Sequence, residues 1–189
     1  MTKREPSLSR FAIAGSLLVG SLIAGWILLS IGHAGAQEKH RYFFKTPEGV
    51  AKYTQQHVID VGDVPGHQVR VFELHTKYAG DAPAYDGVKV AEIWTRGISD
   101  YTNGSGHARQ YSVNVLENGD KIFTRGEVLI STAVAAGGSR TSKVTNIVTL
   151  TGGTGRFKGI RGTLRASAET DFKVGTSRTE TEGEYWIEK

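Results

Sequence analysis

The sequence predicts an all-β fold, a single antiparallel β-barrel of about eight strands, preceded by an N-terminal apolar helix. Three observations point there. From residue 55 onward, short runs of alternating polar and apolar residues recur between turn signals, and no amphipathic helix interrupts them. The chain holds 24 glycines against 4 prolines and one methionine, and with its many Thr, Val and Tyr this composition favours short strands and tight turns. The stretch Thr151-Gly152-Gly153-Thr154-Gly155-Arg156-Phe157-Lys158-Gly159-Ile160-Arg161-Gly162 sits between two extended runs, where glycines allow a sharp reversal at positive φ.

Taken in order, Lys3, Arg4 and Arg10 precede an apolar run from Phe11 to Ile31, and Ala34-Gly35-Ala36 follows it. A basic flank, an apolar stretch and a small-residue site are the three parts of a secretory signal. The run also reaches the roughly 20 residues needed to span a bilayer. Residues 1–36 therefore read either as a signal peptide cleaved near Ala36 or as a membrane anchor. In both readings the remaining chain is exported to the periplasm or a comparable space. Residues 37–53, with Tyr42, Phe43 and Phe44, read as a loosely attached leader before a barrel domain over 54–189.

The expected strands are Gln55–Val61, Val69–Tyr78, Val88–Thr95 continuing as Ile98–Thr102 past a bend at Gly97, Arg109–Leu116, Lys121–Ser131, Val144–Leu150, Ile160–Ala168 and Thr179–Ile187. Glu117-Asn118-Gly119-Asp120 between two alternating runs predicts a hairpin with a type I′ turn, both of whose central residues take positive φ. Ala133–Ser142 reads as a small-residue loop. A barrel removes the exposed edges that an open sheet would leave. At about eight strands it is either filled by side chains or holds one small ligand.

The glycine-rich stretch does not fit a phosphate loop. The residues after it, Ile160 to Arg165, continue as a strand, whereas phosphate binding there needs a helix N-terminus and a lysine followed by Ser or Thr. Instead, Gly-Gly-Thr-Gly-Arg-Phe-Lys-Gly-Ile-Arg-Gly resembles the segment linking two late strands in the allene oxide cyclase and dirigent-like β-barrels, with Ile160 where alanine is common there. The resemblance implies a barrel with a structural corner formed by Gly152, Gly153, Gly155, Gly159 and Gly162, and Phe157 tucked beneath it. It carries over no catalytic residue.

Charge and motif exclude several functions. The net charge of +4 is scattered, without the basic stripe or aromatic interleaving of a nucleic-acid surface, so no nucleic-acid partner is expected. The chain has no cysteine and no metal-ligand spacing among its histidines, so neither a metal nor another cofactor is expected. Candidate ligand-binding residues come from strand rows in which polar residues extend an apolar series. Glu92, Trp94 and Arg96 follow Val88 and Val90, Glu73 and His75 follow Val69 and Val71, and Arg125 and Glu127 lie between Phe123 and Leu129. Tyr111 could supply a hydroxyl near the rim. These rows read either as a lined pocket, in which Glu92 beside Trp94 would be desolvated, or as solvent-facing ion pairs. The functions that follow are an exported barrel binding a small, largely apolar molecule, a cyclase- or dirigent-like enzyme steering an intermediate, or a filled barrel serving as an envelope interaction protein. The membrane is a partner if residues 11–31 are retained.

Overall fold

A computed structural model describes residues 37–171 and 176–188. The apolar N-terminal run, and with it the choice between signal peptide and anchor, lies outside them. Among the described residues no helix is long and apolar enough to cross a membrane. Ten strands form one antiparallel sheet: β1 (His40–Thr46), β2 (Ala51–Asp60), β3 (His67–Lys77), β4 (Ala84–Tyr85), β5 (Val88–Thr102), β6 (Ser105–Leu116), β7 (Lys121–Val134), β8 (Arg140–Gly153), β9 (Ile160–Asp171) and β10 (Thr176–Ile187). A single 3-10 turn, Gly155–Phe157, joins β8 to β9.

The strand order is β1-β10-β9-β8-β7-β6-β5-β3-β2, with β4 paired to β5. Laid flat, nine strands at about 4.8 Å spacing would separate β1 from β2 by about 38 Å. Only Pro47–Val50 links the two, and five extended Cα steps reach about 18 Å at most. The sheet must therefore curl. Among the described residues no backbone pairing joins β1 to β2. Side chains meet across that seam instead. The Tyr42 and Phe44 rings of β1 pack on Tyr85 of β4 and Tyr78 of the β3–β4 connection, at centroid distances of 5.0 and 5.8 Å. The segment read as a leader is thus structural: it supplies β1, all seven residues of which pair with β10, and Tyr42 lies in the core.

Several local expectations change. Val88–Thr102 runs as one strand through Gly97, where a Cβ would lie 2.6 Å from the Phe72 ring and from the Arg109 carbonyl. The hairpin at Glu117–Asp120 forms, but only Gly119 takes positive φ there. The Gly119 N–H donates to the Leu116 carbonyl, and the Asn118 side chain accepts from the Asp120 N–H at 3.0 Å, so the side chain holds a conformation other than type I′. The paired positive φ of a type I′ turn falls instead at Asp86-Gly87 and Asn103-Gly104. The loop expected over Ala133–Ser142 shrinks to the five residues between β7 and β8.

The apolar core gathers at one end of the curled sheet. Leu116, Ile122, Leu150, Phe157, Ile160 and Leu164 pack there with Val90, Tyr42, Tyr85 and Tyr185. The glycine corner aims Phe157 into this cluster, fully buried and edge-on to Tyr85 at 6.5 Å. Gly155 has φ +51°, and a Cβ there would overlap the Asp120 carboxylate. Gly153 is tight for another reason, since a Cβ would lie 2.6 Å from the Lys121 carbonyl and 2.7 Å from that of Phe157.

Candidate functional site

Above the core the curled sheet lines a half-open cavity of about 270 Å³, just under the roughly 300–1,000 Å³ usual for small-molecule sites. Its wall alternates by strand face. Thr76 of β3, Ile93 and Thr95 of β5, Gln110, Ser112 and Asn114 of β6, Thr124 and Gly126 of β7, Asn146 and Val148 of β8, Leu164 and Ala166 of β9, and Thr179 and Thr181 of β10 all point in. Tyr42, Phe44, Tyr78 and Tyr85 form the aromatic side along the seam. Some polar groups of the wall satisfy one another: the Thr95 and Ser112 hydroxyls are 2.8 Å apart, and the Asn114 amide donates to the Ile122 carbonyl at 3.1 Å. The Asn146 Oδ1 is buried and has no hydrogen-bond partner among the described residues. It lies where a Cβ on Gly126 would approach to 2.8 Å, so the glycine makes room for this acceptor and for Gln110 beside it.

Among the described residues no Asp, Glu, Lys, Arg or His lines this cavity. Its titratable groups are tyrosines, and burial holds them protonated: it pushes the Tyr78 phenol up to about 12 and raises Tyr42 and Tyr85 as well. A charged ligand would find no counter-ion, and desolvating an unpaired charge is costly. Uncharged molecules with hydrogen-bonding groups are what this wall can solvate.

The residues singled out from sequence come together, but on the opposite face. In β5 the register slips between Val90 and Glu92. This bulge inserts one residue, so the buried row that includes Val90 continues through Ile93 and Thr95 rather than Glu92 and Trp94. In β7 the alternation is unbroken, with Ile122, Thr124 and Gly126 turned in and the row Phe123, Arg125 and Glu127 outward; the slip opposite Phe123 and Thr124 is taken up by the extra residue Thr151 of β8. In β3 the outward row is the one carrying Val71, Glu73 and His75, and Val71 is 54 % exposed.

On that outer face Glu92, Trp94, His75, Glu73 and Arg96 form one network. The Glu92 carboxylate contacts His75 Nε2 at 2.8 Å and accepts from Trp94 Nε1 at 3.1 Å. The His75 and Trp94 rings, opposite each other across β3 and β5, stack at 3.9 Å. Arg96 pairs with Glu73 at 2.7 Å, and Glu73 also accepts from Thr54 Oγ1 at 2.7 Å. The His75 hydrogen bond, with that of Trp94, holds the Glu92 carboxyl below the usual range, the reverse of the upward shift a desolvated pocket would give. For Glu73 the Thr54 hydrogen bond does the same, with Arg96 adding to it. Tyr111 is 64 % exposed, Arg125 is exposed, and Glu127 pairs with Arg109 at 3.3 Å on the surface. Glu92, Trp94, His75, Glu73, Arg96 and Thr54 satisfy one another, so their network ties β2, β3 and β5 together from outside. Among the described residues no cluster of His, Asp and Glu is arranged to hold a metal ion.

Sequence reading missed the wall itself. Its signal was present in the spacing Ser112-Asn114-Leu116 and Tyr42-Phe44, residues two apart that share a face with buried positions. The class defined by fold and site is an antiparallel all-β protein curled around an uncharged, hydroxyl- and amide-lined cavity. Comparison with protein-family models, with curated proteins and with solved structures returns no match.

Proposed function

We propose that this protein is an exported small-molecule binder whose β domain is a barrel of eight strand positions. β1 and β2 run in the same sense along the sheet order and are joined by four residues, so together they supply one position, split at Pro47–Val50, with β1 beside β10 and β2 beside β3 and the second edge of β2 left unpaired among the described residues. The glycine corner, with its resemblance to the allene oxide cyclase and dirigent-like barrels, supports the same architecture. The ligand is small and uncharged, with an apolar body against the Tyr42–Phe44–Tyr78–Tyr85 side and hydrogen-bonding groups toward Thr95, Ser112 and Asn146. That no charged side chain among the described residues lines the cavity carries this reading. Export rests on the basic flank and apolar run of residues 1–36.

Native mass spectrometry of the protein purified from its own host tests it. A bound neutral species is expected in the parent and should be lost in Ala166→Phe, which fills the cavity. Equal occupancy in both chains would place the ligand elsewhere. The enzymatic alternative, motivated by the corner's resemblance, uses the same cavity. Release of a rearranged product from the bound molecule, rather than its recovery unchanged, would favour it.

A further inference from the structure

We infer that β2 is the interface through which two copies of this chain associate, pairing antiparallel about Gln56 so that the two sheets become continuous. All ten residues of β2 are exposed. One edge is paired to β3, and the other hydrogen-bonds to no strand among the described residues. The strand contains no proline, its charges Lys52 and Asp60 cancel, and it exposes Tyr53, Val58 and Ile59 at 53, 41 and 56 %. A long, uncovered edge of this kind is a template for another strand. The sheet's other terminal strand, β1, is shorter and has Tyr78 and Tyr85 packed against its rings.

The strand's own pattern names a second copy as the occupant. Tyr53 lies opposite Leu74 and Val58 opposite Arg70, with the register slip between Tyr53 and Gln55. Leu74 and Arg70 share a face of β3, so the slip leaves Tyr53 and Val58 on one face and, by the same count, Lys52 and Ile59 on the other. An antiparallel two-fold at Gln56 then sets Tyr53 of each copy opposite Val58 of the other, an aromatic–β-branched pair made twice. It also brings the Lys52 end of each strand beside the Asp60 end of its partner. Parallel pairing would set like charges together and lose both aromatic pairs.

The chain has no cysteine, so a single introduced cysteine reports only contact between copies. Full-length Gln56→Cys, oxidised in air, is expected to run as a covalent dimer on a non-reducing gel. Ser167→Cys, exposed on β9, is expected to remain monomeric. Adding Val58→Lys to Gln56→Cys should lower dimer yield about tenfold, because both symmetric pairs are lost. Association through any other surface would not distinguish the two cysteine positions. A yield from Gln56→Cys no higher than from Ser167→Cys, or one unaffected by Val58→Lys, would overturn the proposal.

Discussion

Replacing Phe157 by alanine tests the link between the glycine corner and the core. The ring is fully buried, sits edge-on to Tyr85 at 6.5 Å, and belongs to the cluster with Leu116, Ile122, Leu150 and Ile160. It is aimed there by a 3-10 turn in which the Phe157 N–H donates to the Thr154 carbonyl at 2.9 Å and the Thr154 N–H to the Lys121 carbonyl at 2.8 Å. Those backbone bonds survive the substitution, so the turn persists and cannot collapse into the space left behind. The cost is then the full one for a buried Phe→Ala, about 3–5 kcal/mol. That is a large part of the roughly 5–15 kcal/mol by which a domain is stable. With a urea slope of about 2 kcal/mol/M, the midpoint should fall by about 2 M, followed by far-ultraviolet circular dichroism. Tyr111→Ala removes an aromatic of similar size from the outer face, where it is 64 % exposed, and should shift stability by no more than about 0.5 kcal/mol. If Phe157→Ala moves the midpoint no further than Tyr111→Ala, the assignment of inner and outer faces fails with it.

Gly155→Val should cost about 1–3 kcal/mol from backbone strain at φ +51°, with the clash against Asp120 added, and the urea midpoint should fall accordingly. The protonated His67 ring donates from Nε2 to the Asp100 carboxylate at 2.8 Å and from Nδ1 to the Asp63 carboxylate at 2.6 Å, and these hydrogen bonds, that of Asp100 foremost, raise its pKa. Its contribution is therefore full below the unfolded value of about 6.5 and is lost as pH rises through the higher folded value. His67→Gln should flatten the decline in urea midpoint seen in the parent over that interval, and parallel pH profiles would contradict the pairing. Glu92→Gln should leave ligand occupancy in native mass spectrometry unchanged, because Glu92 lies on the face away from the cavity; a loss would return it to the site.

The fold was largely legible in the sequence because it is written in local chemistry. Alternating runs, Asn-Gly turns and the glycine corner each act over a few residues, and the strands they delimit recur in the structure, most of them lengthened. β1 was not legible as a core strand. Its alternation, Tyr42 and Phe44 against Phe43 and Lys45, covers only a few residues, and what buries Tyr42 is Tyr85, distant in sequence and brought close by the curl of the sheet.

The candidate site was legible as a set of neighbours but not as a face. Glu73 with Arg96 and His75 with Trp94 are opposite across a ladder, so two rows read separately from the sequence meet on one face, and the β5 row carrying Glu92, Trp94 and Arg96 points outward. Their direction depended on a single residue. Counting by twos from the buried Val90 leads to Glu92 and Trp94 unless the chain bulges, and it bulges there. Nothing in Val90-Ala91-Glu92 announces an extra residue, since no glycine or proline marks it. Composition could not correct the count. The interior carries Thr, Ser, Asn and Gln where a binary pattern expects Val and Leu, while the outer face carries Val71, Tyr111 and Leu129. Where both faces are mixed, alternation reports that a strand exists and leaves its orientation open. What separates them at the cavity is formal charge: the described outer face carries Glu73, Glu92, Arg96, Arg125 and Glu127, and among the described residues the cavity lining carries none; beyond the cavity the inward row of β3 also holds Arg70, which donates to the Gln56 side chain at 2.9 Å. In a strand whose polarity alternates weakly, the row free of Asp, Glu, Lys and Arg is the one able to face a desolvated interior, because a hydroxyl or an amide can be satisfied there by one hydrogen bond and an ion cannot.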